Sequence, residues 1–250
     1  MFQVAIITGA ATGIGECMAR VFVKHGAKVI VADILDGPGS RVCAELGQDV
    51  ATFVHCDVTN ESDVEAAVNT AISLHGKLDI MVNNAAIAEE PKLSILDNDK
   101  AEFERVVAVN LTGAFLGAKH AARAMIPAQC GSIITVGSVC SAVGGVATHS
   151  YTSSKHAVVG LTKNVAAELG EYGIRTKLTV DLFKMDYREA LRVYSNLKGV
   201  ALRPEDVADA AVFLGSDDSR YVSGHNLALD GGFTAINPAF GLFAKTKVMD

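Results

Sequence analysis

Tyr151, Lys155 and Ser138 are the residues whose types and spacing could carry out acid–base chemistry. Tyr151 and Lys155 are four residues apart, so on a helix they would share one face. A tyrosine has an ordinary pKa of about 10 and is a poor base at neutral pH, but a nearby ammonium group favours its phenolate. Ser138 could form a hydrogen bond with the same substrate oxygen. We predict a tyrosine base with two helpers, although Tyr-x-x-x-Lys spacing alone is common on helix surfaces.

A glycine-rich stretch near the N-terminus has the spacing of a nucleotide-binding turn. It runs Thr8-Gly9-Ala10-Ala11-Thr12-Gly13-Ile14-Gly15, between an apolar run and a helical pattern. Glycines let the backbone approach a phosphate, and a helix N-terminus supplies free N–H groups and a positive dipole end. An ordinary glycine turn is the alternative, but the strand–turn–helix–strand context favours a nucleotide. The residues predicted to contact the cofactor here are Gly9, Thr12, Gly13, Ile14 and Gly15.

An acidic residue, Asp33, closes the second apolar run, Lys28–Asp33. A carboxylate at this position can accept hydrogen bonds from the adenosine ribose, and it would repel a 2′-phosphate. No Arg or Lys in the glycine loop or just after Asp33 offsets that charge, so NAD is favoured over NADP. A solvated aspartate at a strand end is the alternative.

Small or polar residues also follow the third and fourth apolar runs. Any one of these turns could be an ordinary connection, but together they suit a ligand that lies along the carboxyl edge of a sheet. Lys155 could in addition hold the nicotinamide ribose. The further residues predicted to contact the cofactor are Asp57, Val58, Asn84, Ala85, Ala86, Tyr151 and Lys155.

Short apolar runs alternate with longer helical patterns along the chain. The runs are rich in Val and Ile, as in strands that are buried on both faces, and such alternation predicts a doubly wound parallel sheet. We find no linker or repeat, so the sequence predicts one α/β domain. The predicted strands are Val4–Thr8, Lys28–Asp33, Ala51–Asp57, Leu78–Val82, Ser132–Gly137 and Asn226–Asp230, and the predicted helices include Ile14–His25, Glu61–His75 and Val158–Gly170.

Composition narrows the class of protein further. The chain has 250 residues, of which 50% are hydrophobic and 20% charged, enough for a sizeable core. Its net charge of -6 counts mildly against a nucleic-acid groove. The five cysteines are scattered without a CxxC pair, which predicts reduced thiols rather than disulfides or a metal site. No signal peptide or membrane span is expected, so we predict a cytoplasmic protein.

The combined motifs resemble those of the short-chain dehydrogenase/reductase family over nearly the whole chain. The glycine-rich stretch is similar to the family's cofactor motif, and Asn83-Asn84-Ala85-Ala86 to its Asn-Asn-Ala-Gly motif, with Ala86 replacing the glycine. Ser138, Tyr151 and Lys155 match its catalytic residues, and Asn110 matches the asparagine that holds a water on the proton path. The resemblance implies a Rossmann-type sheet of about seven strands, NAD as cofactor and a homotetramer.

A narrower resemblance concerns the C-terminal part of the chain. Arg203–Ala208, Tyr221–Gly224 and Asp230–Thr234 are general family features, whereas Asn237-Pro238-Ala239-Phe240 is similar to plant alcohol dehydrogenases of specialised metabolism. Those include borneol, secoisolariciresinol and xanthoxin dehydrogenases. The final segment, Pro238–Asp250, is partly apolar, and a subunit interface would explain this better than exposure to solvent.

The chain departs from the family pattern after Arg175. The family normally continues with a strand beginning Val-Asn and then a Pro-Gly or Pro-Tyr loop over the nicotinamide, but Thr176–Asp181 is short, polar and a poor central strand. A true deletion should disrupt the core. We therefore expect a chain break at Arg175/Thr176, where about ten residues of strand and loop are missing from a continuous numbering.

The leading hypothesis is an NAD-dependent dehydrogenase that oxidises a hydrophobic secondary alcohol to a ketone. A monoterpenol such as borneol is the first expectation for the substrate, and a lignan diol is the second. An NADP-dependent ketone reductase is opposed by Asp33, and a catalytically silent NAD-binding regulatory protein is opposed by the complete set of catalytic residues. The predicted substrate-binding residues are Ile87, Ser138, Val139, Cys140, Val143, His149 and Tyr151, joined by Ala88 and the stretch Leu182–Met185. Ordinary packing is the alternative for each of them.

Overall fold

A parallel sheet forms the centre of the molecule. The structure is a computed structural model that describes residues 3–92, 94–180, 197 and 200–235. Within them, seven strands lie in the order β3-β2-β1-β4-β5-β6-β7. The strands are β1 (Val4–Thr8), β2 (Lys28–Asp33), β3 (Ala51–His55), β4 (Ile80–Asn83), β5 (Gly131–Val136), β6 (Ile174–Val180) and β7 (Asn226–Ala228). This confirms the predicted single α/β domain of Rossmann type.

Helices connect the strands and cover both faces of the sheet. A π-helical turn, Ala108–Thr112, joins two of them without a break in helical backbone. The helix that carries Tyr151 and Lys155 begins earlier than the predicted Val158, so both residues do lie on one helix. The helices are α1 (Gly13–Lys24), α2 (Asp36–Leu46), α3 (Glu61–His75), α4 (Lys100–Val107), α5 (Gly113–Met125), α6 (His149–Leu169) and α7 (Pro204–Gly215).

The apolar strands divide their side chains between two cores. On β1, Ala5 and Ile7 pack with α1 and α7, whereas Val4 and Ile6 pack with α3 and α5 on the opposite face. This follows from the two-residue period of a strand, and it explains why the strands read as continuous apolar runs. The sheet is therefore buried on both faces, and only its edges are left for ligands.

The strand order reverses at β1, which has β2 on one side and β4 on the other. The connections leaving β1 and β4 therefore run to opposite faces, and a crevice opens at the carboxyl ends of these strands. Three of the segments that the sequence analysis singled out lie at this edge: the glycine loop after β1, Asp33 at the end of β2 and Asn84 after β4.

The structure shows no break in the chain after Arg175. Arg175 and Thr176 are consecutive residues of β6 and pair with Ser132 and Ile133 of β5, whereas the absence of about ten residues relative to the family pattern stays a prediction. The stretch that was considered a poor strand is central, since β6 also pairs with β7. Thr176 and Thr179 are β-branched and suit a strand, although their hydroxyl groups are buried without hydrogen-bond partners.

Lys177 is the residue that made β6 hard to predict, because its side chain is completely buried. Its Nζ donates to the carbonyl of Leu214 and, at 2.7 Å, to the Ser219 hydroxyl. The Leu214 carbonyl belongs to the last turn of α7, where unpaired carbonyls and the negative dipole end attract cations. Arg175, two residues earlier, donates to the same carbonyl at 3.2 Å. The end of α7 thus holds two cations inside the protein.

Burial, with a smaller contribution from Arg175, lowers the pKa of Lys177 from 10.5 to about 7. The unfolded chain keeps its lysine protonated up to about pH 10.5, whereas the folded chain releases the proton near pH 7. Stability should therefore rise with pH between these two values, because protonation favours the unfolded chain there. Below pH 7 the folded state carries the full cost of a buried charge.

We predict that Lys177→Met stabilises the protein by about 1 kcal/mol or more at pH 6, and by less at pH 9. The Leu214 carbonyl would keep Arg175 and the Ser219 hydroxyl as donors, so the substitution leaves no orphaned acceptor. Urea unfolding at several pH values measures the gain, with the exposed Lys163→Met as control. A gain in unfolding free energy that is the same at every pH would show that it does not come from removal of the buried charge.

Candidate active site

One cleft of about 1230 Å³ runs along the carboxyl edge of the sheet. It exceeds the roughly 300–1000 Å³ that is typical for drug-sized ligands, so it has room for a dinucleotide and a substrate. All of the residues predicted to contact the cofactor line this cleft, namely Gly9, Thr12, Gly13, Ile14, Gly15, Asp33, Asp57, Val58, Asn84, Ala85, Ala86, Tyr151 and Lys155.

The glycine loop is fastened to the turn after β4. The Asn84 side-chain amide donates to the carbonyls of Thr8 (2.9 Å) and Gly9 (3.1 Å). The Thr8 hydroxyl accepts in return from the backbone N–H groups of Asn84 and Ala85, both at 3.1 Å. Gly9 has a φ of +65°, and a side chain there would meet the backbone of Ala85. The loop therefore needs glycine both for its conformation and for its closeness to the neighbouring turn.

Asp33 lies at the rim of the cleft and is 7% exposed. One carboxylate oxygen accepts from the N–H of Ala11 at 2.9 Å, and the other accepts from the N–H of Leu35 at 3.0 Å. These bonds fix the carboxylate beside the glycine loop, where an adenosine ribose would lie when the phosphates meet the N-terminus of α1. Each carboxylate oxygen of Asp33 has a further lone pair, which could accept a hydrogen bond from a ribose hydroxyl.

Tyr151 and Lys155 lie on the first turns of α6 and line the same cleft as Asp33. Both are almost fully buried, and the Lys155 Nζ is 5.5 Å from the centre of the Tyr151 ring. The ammonium group also donates to the carbonyl of Val136, the last residue of β5, at 2.8 Å. The helix therefore holds a cation next to the phenol, which is the arrangement that favours a phenolate.

Asn110 lies in the π-helical turn, the kind of bulge that recurs at functional sites. Its side-chain oxygen accepts from the N–H of Ile87 at 2.8 Å, and its amide donates to the Ile87 carbonyl at 2.9 Å. The same amide donates to the Ser154 hydroxyl at 3.1 Å, and that hydroxyl donates to the carbonyl of Tyr151 at 2.7 Å. Asn110 thus ties the loop after β4 to the helix that carries the tyrosine.

Ser138 follows β5 and begins a short 3-10 helix, Val139–Ser141. Its hydroxyl accepts from the N–H of Cys140 at 3.3 Å, and its own N–H donates to the Ser141 hydroxyl at 3.1 Å. Ser138 is 1% exposed and is not among the residues that line the cleft. The 3-10 helix packs against α6, because Val139, Cys140 and Tyr151 belong to one apolar cluster.

A family model described as enoyl-(acyl carrier protein) reductase matches residues 9–234, which include the whole cleft. The chain belongs to the short-chain dehydrogenase/reductase family. As a member of this family, it is an oxidoreductase.

Several plant enzymes are similar to this dehydrogenase/reductase over most of their length. Momilactone A synthase of Oryza sativa subsp. japonica is 54% identical, and the match covers 96% of this chain and 93% of that protein. The mitochondrial borneol dehydrogenase of Lavandula x intermedia is 52% identical, with coverage of 96% and 94%. Secoisolariciresinol dehydrogenase of Forsythia intermedia is 48% identical, with coverage of 96% and 92%. These relatives confirm the predicted kinship with plant dehydrogenases.

A solved structure shares the fold. It is the 3-ketoacyl-(acyl-carrier-protein) reductase of Brucella melitensis in complex with NADH, which is 34% identical to this chain. The TM-score is 0.85, and the superposition covers 93% of this chain and 98% of the reductase. The likeness supports the assignment of the sheet and its helices to the dehydrogenase/reductase family.

The predicted substrate residues of this dehydrogenase/reductase are divided between several places. Ile87 and Tyr151 line the cleft. Val139 and Cys140 are fully buried in the apolar cluster around Tyr151, and Ala88 packs against that cluster. Val143 is half-buried and His149 is exposed, both outside the lining of the cleft. The stretch Leu182–Met185 and the apolar tail, Pro238–Asp250, lie outside the described residues.

The cleft also contains residues that the sequence analysis did not name. Ile34 and Leu35 follow Asp33 directly and are 57% and 44% exposed, so they offer an apolar surface of the kind that an adenine ring would cover. Their position directly after Asp33 is the sequence feature from which their place in the cleft could have been predicted. Cys56 is another lining residue, and burial raises the pKa of its thiol to about 12, which makes it unreactive. Arg203, Asp206, Asp230 and Gly231 also line the cleft; their segments were named above as general family features but were not assigned to the site.

We predict that Gly15→Ala weakens NADH binding at least tenfold and destabilises the protein by about 1–3 kcal/mol. A methyl group at Gly15 would overlap the Gly9 carbonyl and the Asn84 amide, and the loop cannot give way without losing its hydrogen bonds. Gly160→Ala is the matched control, because its methyl group would point into open space on α6 and should leave stability equal or slightly higher. Fluorescence titration and thermal unfolding measure both effects. Unchanged binding in Gly15→Ala would contradict the assignment of the loop.

Proposed function

We propose that the protein is an NAD-dependent dehydrogenase that oxidises a hydrophobic secondary alcohol to the ketone, with Tyr151 as the base. One observation carries the proposal: the buried pair of Tyr151 and Lys155 lines the same cleft as the glycine loop and Asp33. A base and a dinucleotide site in one crevice are what transfer of a hydride from an alcohol requires.

The proposed cofactor is NAD, which when bound supplies the acceptor for the hydride. Residues Gly9–Gly15 and the N-terminus of α1 would hold the diphosphate, since a glycine cradle and free N–H groups suit an anion. Asp33 would accept from the adenosine ribose, and Ile34 and Leu35 would cover the adenine. The fit is supported by the close approach of Gly9 and Gly15 to their neighbours, which leaves the space above the loop open. The NADH complex of the structurally similar reductase supports the same choice.

Tyr151 would take the proton of the substrate hydroxyl. The Lys155 ammonium, 5.5 Å from the centre of the ring, would stabilise the phenolate, and both side chains are almost fully buried. The family resemblance implies that Ser138 holds the substrate oxygen; Ser138 lies beside the Tyr151 cluster at the end of β5, although its buried side chain is not part of the lining of the cleft. Lys155 and a water held by Asn110 would then pass the proton outward, as the family resemblance implies for these residues.

The substrate is proposed to be a monoterpenol such as borneol. The residues around Tyr151 are apolar, including Val139, Val146 and Ala147, and the similarity to a borneol dehydrogenase supports this choice. A lignan diol is supported to the same degree by the similarity to secoisolariciresinol dehydrogenase. The cleft is large enough for either.

A panel of hydrophobic secondary alcohols, assayed with NAD by NADH absorbance, tests the proposal. It should contain both borneol enantiomers and secoisolariciresinol. Turnover of one class with a kcat/KM at least tenfold above the other would decide between the two substrates. No turnover of any alcohol, in a protein that binds NADH, would favour the silent regulatory protein instead.

We predict that Tyr151→Phe lowers kcat at least a thousandfold and changes the Kd for NADH by less than about threefold. The variant loses the proton acceptor but keeps the ring that packs beside Lys155. The Kd is measured by NADH fluorescence. A large fall in kcat with an unchanged Kd would support the role of the phenol. Turnover close to wild type would show that another group acts as the base.

We predict that Asp33→Asn raises the ratio of NADP to NAD turnover by about tenfold or more. The asparagine retains an oxygen that can accept from Ala11 N–H, but it removes the negative charge that repels a 2′-phosphate. Asp97→Asn, on an exposed 3-10 turn away from the cleft, is the control for charge alone. An unchanged ratio of NADP to NAD turnover in Asp33→Asn would show that Asp33 does not select the cofactor.

The protein is further proposed to be a cytoplasmic homotetramer. All five cysteines are free thiols, which suits a reducing compartment. Among the described residues, no helix is long and apolar enough to span a membrane. Exposed Phe103 on α4 and Phe115 on α5 supply apolar surface that a second subunit would cover. Light scattering of the purified protein measures the number of subunits.

A further inference from the structure

Glu89 is a buried carboxylate that the proposed mechanism does not use. It lies in the loop after β4 and is 9% exposed. The Ser150 hydroxyl donates to one of its oxygens. Ser150 is the residue before Tyr151, so the carboxylate reaches the first turn of the helix that carries the proposed base.

The first turn of α6 lacks the usual devices that stabilise a helix N-terminus. The side chain of Thr148, its N-cap residue, makes no capping hydrogen bond, and the first turn contains no acidic residue. The turn begins with N–H groups that no helix carbonyl can accept. Glu89 therefore supplies, from another segment, the negative charge and the acceptor that the helix itself does not provide.

The donors around Glu89 keep it ionised. Burial raises the pKa of the carboxyl, but hydrogen bonds from the Ser150 hydroxyl, from Thr148 and from the backbone N–H groups of Glu89 and Ser150 outweigh burial and lower the pKa below its ordinary value. The second carboxylate oxygen and the Thr148 hydroxyl are both buried without a hydrogen bond of good geometry, although they lie close enough to interact. The charge is thus compensated almost entirely by the start of α6.

The loop of Glu89 is anchored at two further points. Asn84 is bonded to the glycine loop, and Ile87 is bonded through both backbone groups to Asn110. Residues 84–89 therefore connect the cofactor loop, the π-helical turn and α6. A shift of the loop would change the position of the tyrosine relative to the cofactor.

We propose that Glu89 is a positioning residue, whose carboxylate holds the first turn of α6 and thereby places the Tyr151 phenol relative to the cofactor loop. The inference rests on the proposed function for the role of Tyr151 as the base. The positioning itself rests only on the contacts of Glu89 with α6.

The charge of Glu89 has a second consequence for Tyr151. A buried anion at the start of α6, the helix that carries the phenol, opposes formation of the phenolate, so removing it should lower the pH at which the base becomes active. Other titratable side chains in this region are Lys155 and His149 on α6, Cys140 on the 3-10 helix and Lys92 in the loop. All of them are unchanged in the variants below, so a shift would report on Glu89.

Glu89→Ala and Glu89→Gln separate the two effects, and Glu90→Gln is the matched control because Glu90 is the exposed neighbour with the same charge. In Glu89→Ala we expect faster hydrogen exchange in residues 149–156, a fall in kcat of about tenfold or more and a Kd for NADH within about twofold of wild type. In Glu89→Gln, which keeps an acceptor for Ser150, we expect most of kcat to remain. Its rising pH limb for alcohol oxidation should shift down by about half a pH unit. Glu90→Gln should change none of these values.

Hydrogen exchange and kinetics also distinguish this inference from the proposed function. Unchanged exchange and unchanged kcat in Glu89→Ala would overturn the positioning role, whatever the substrate. If Glu89→Ala does not fold, Ser150→Ala, which removes the hydroxyl donor to Glu89, carries the test of positioning, and unchanged exchange and kcat in that variant would overturn the proposal. The remaining outcome is that the wild-type protein oxidises no alcohol while Glu89→Ala exchanges faster in α6. That result would support the positioning role and contradict only the proposed function.

Discussion

The hydrogen bonds between Asn84 and the glycine loop join the ends of β1 and β4, where the strand order of the sheet reverses. The Asn84 amide holds the carbonyls of Thr8 and Gly9, and the Thr8 hydroxyl holds the backbone after β4. These bonds lie just beyond Ile7 and Val82, the last residues at which β1 and β4 pair, so they hold the two strand ends together at the mouth of the crevice. The shape of the cleft depends on this small polar network, whose atoms are partly buried and therefore costly to leave unpaired.

The side of the cleft that carries Tyr151 and Lys155 is assembled in the same way, by polar contacts between segments far apart in sequence. Lys155 reaches the end of β5, and Asn110 connects the loop after β4 with the first turns of α6. The helix is thus fixed to two strand ends besides its own packing. Such support from neighbouring segments is what keeps a proton acceptor within reach of a substrate, where small displacements cost large factors in rate.

The central strand β6 shows how a polar residue can be accommodated in a core. Lys177 is buried, yet its ammonium group meets the Leu214 carbonyl in the last turn of α7, which Arg175 and Ser219 also contact. The helix end thus supplies an acceptor and a negative dipole end for the buried lysine. In the sequence pattern, Lys177 is only a charged residue in a short polar run, which is why a missing segment was expected. In the structure the run is part of the continuous strand β6.

The sequence by itself determined the order of strands and helices, the glycine loop, Asp33 and the Tyr151–Lys155 pair, because these depend on local periodicity and on residue types at strand ends. Only the tertiary structure decided that β6 is a strand and that Ser138 lies outside the lining of the cleft. It alone also placed Glu89 at the start of α6. Each of these depends on a partner that is distant in the chain, such as Leu214 for Lys177 or Ser150 for Glu89, and no local pattern records which distant groups a fold brings together.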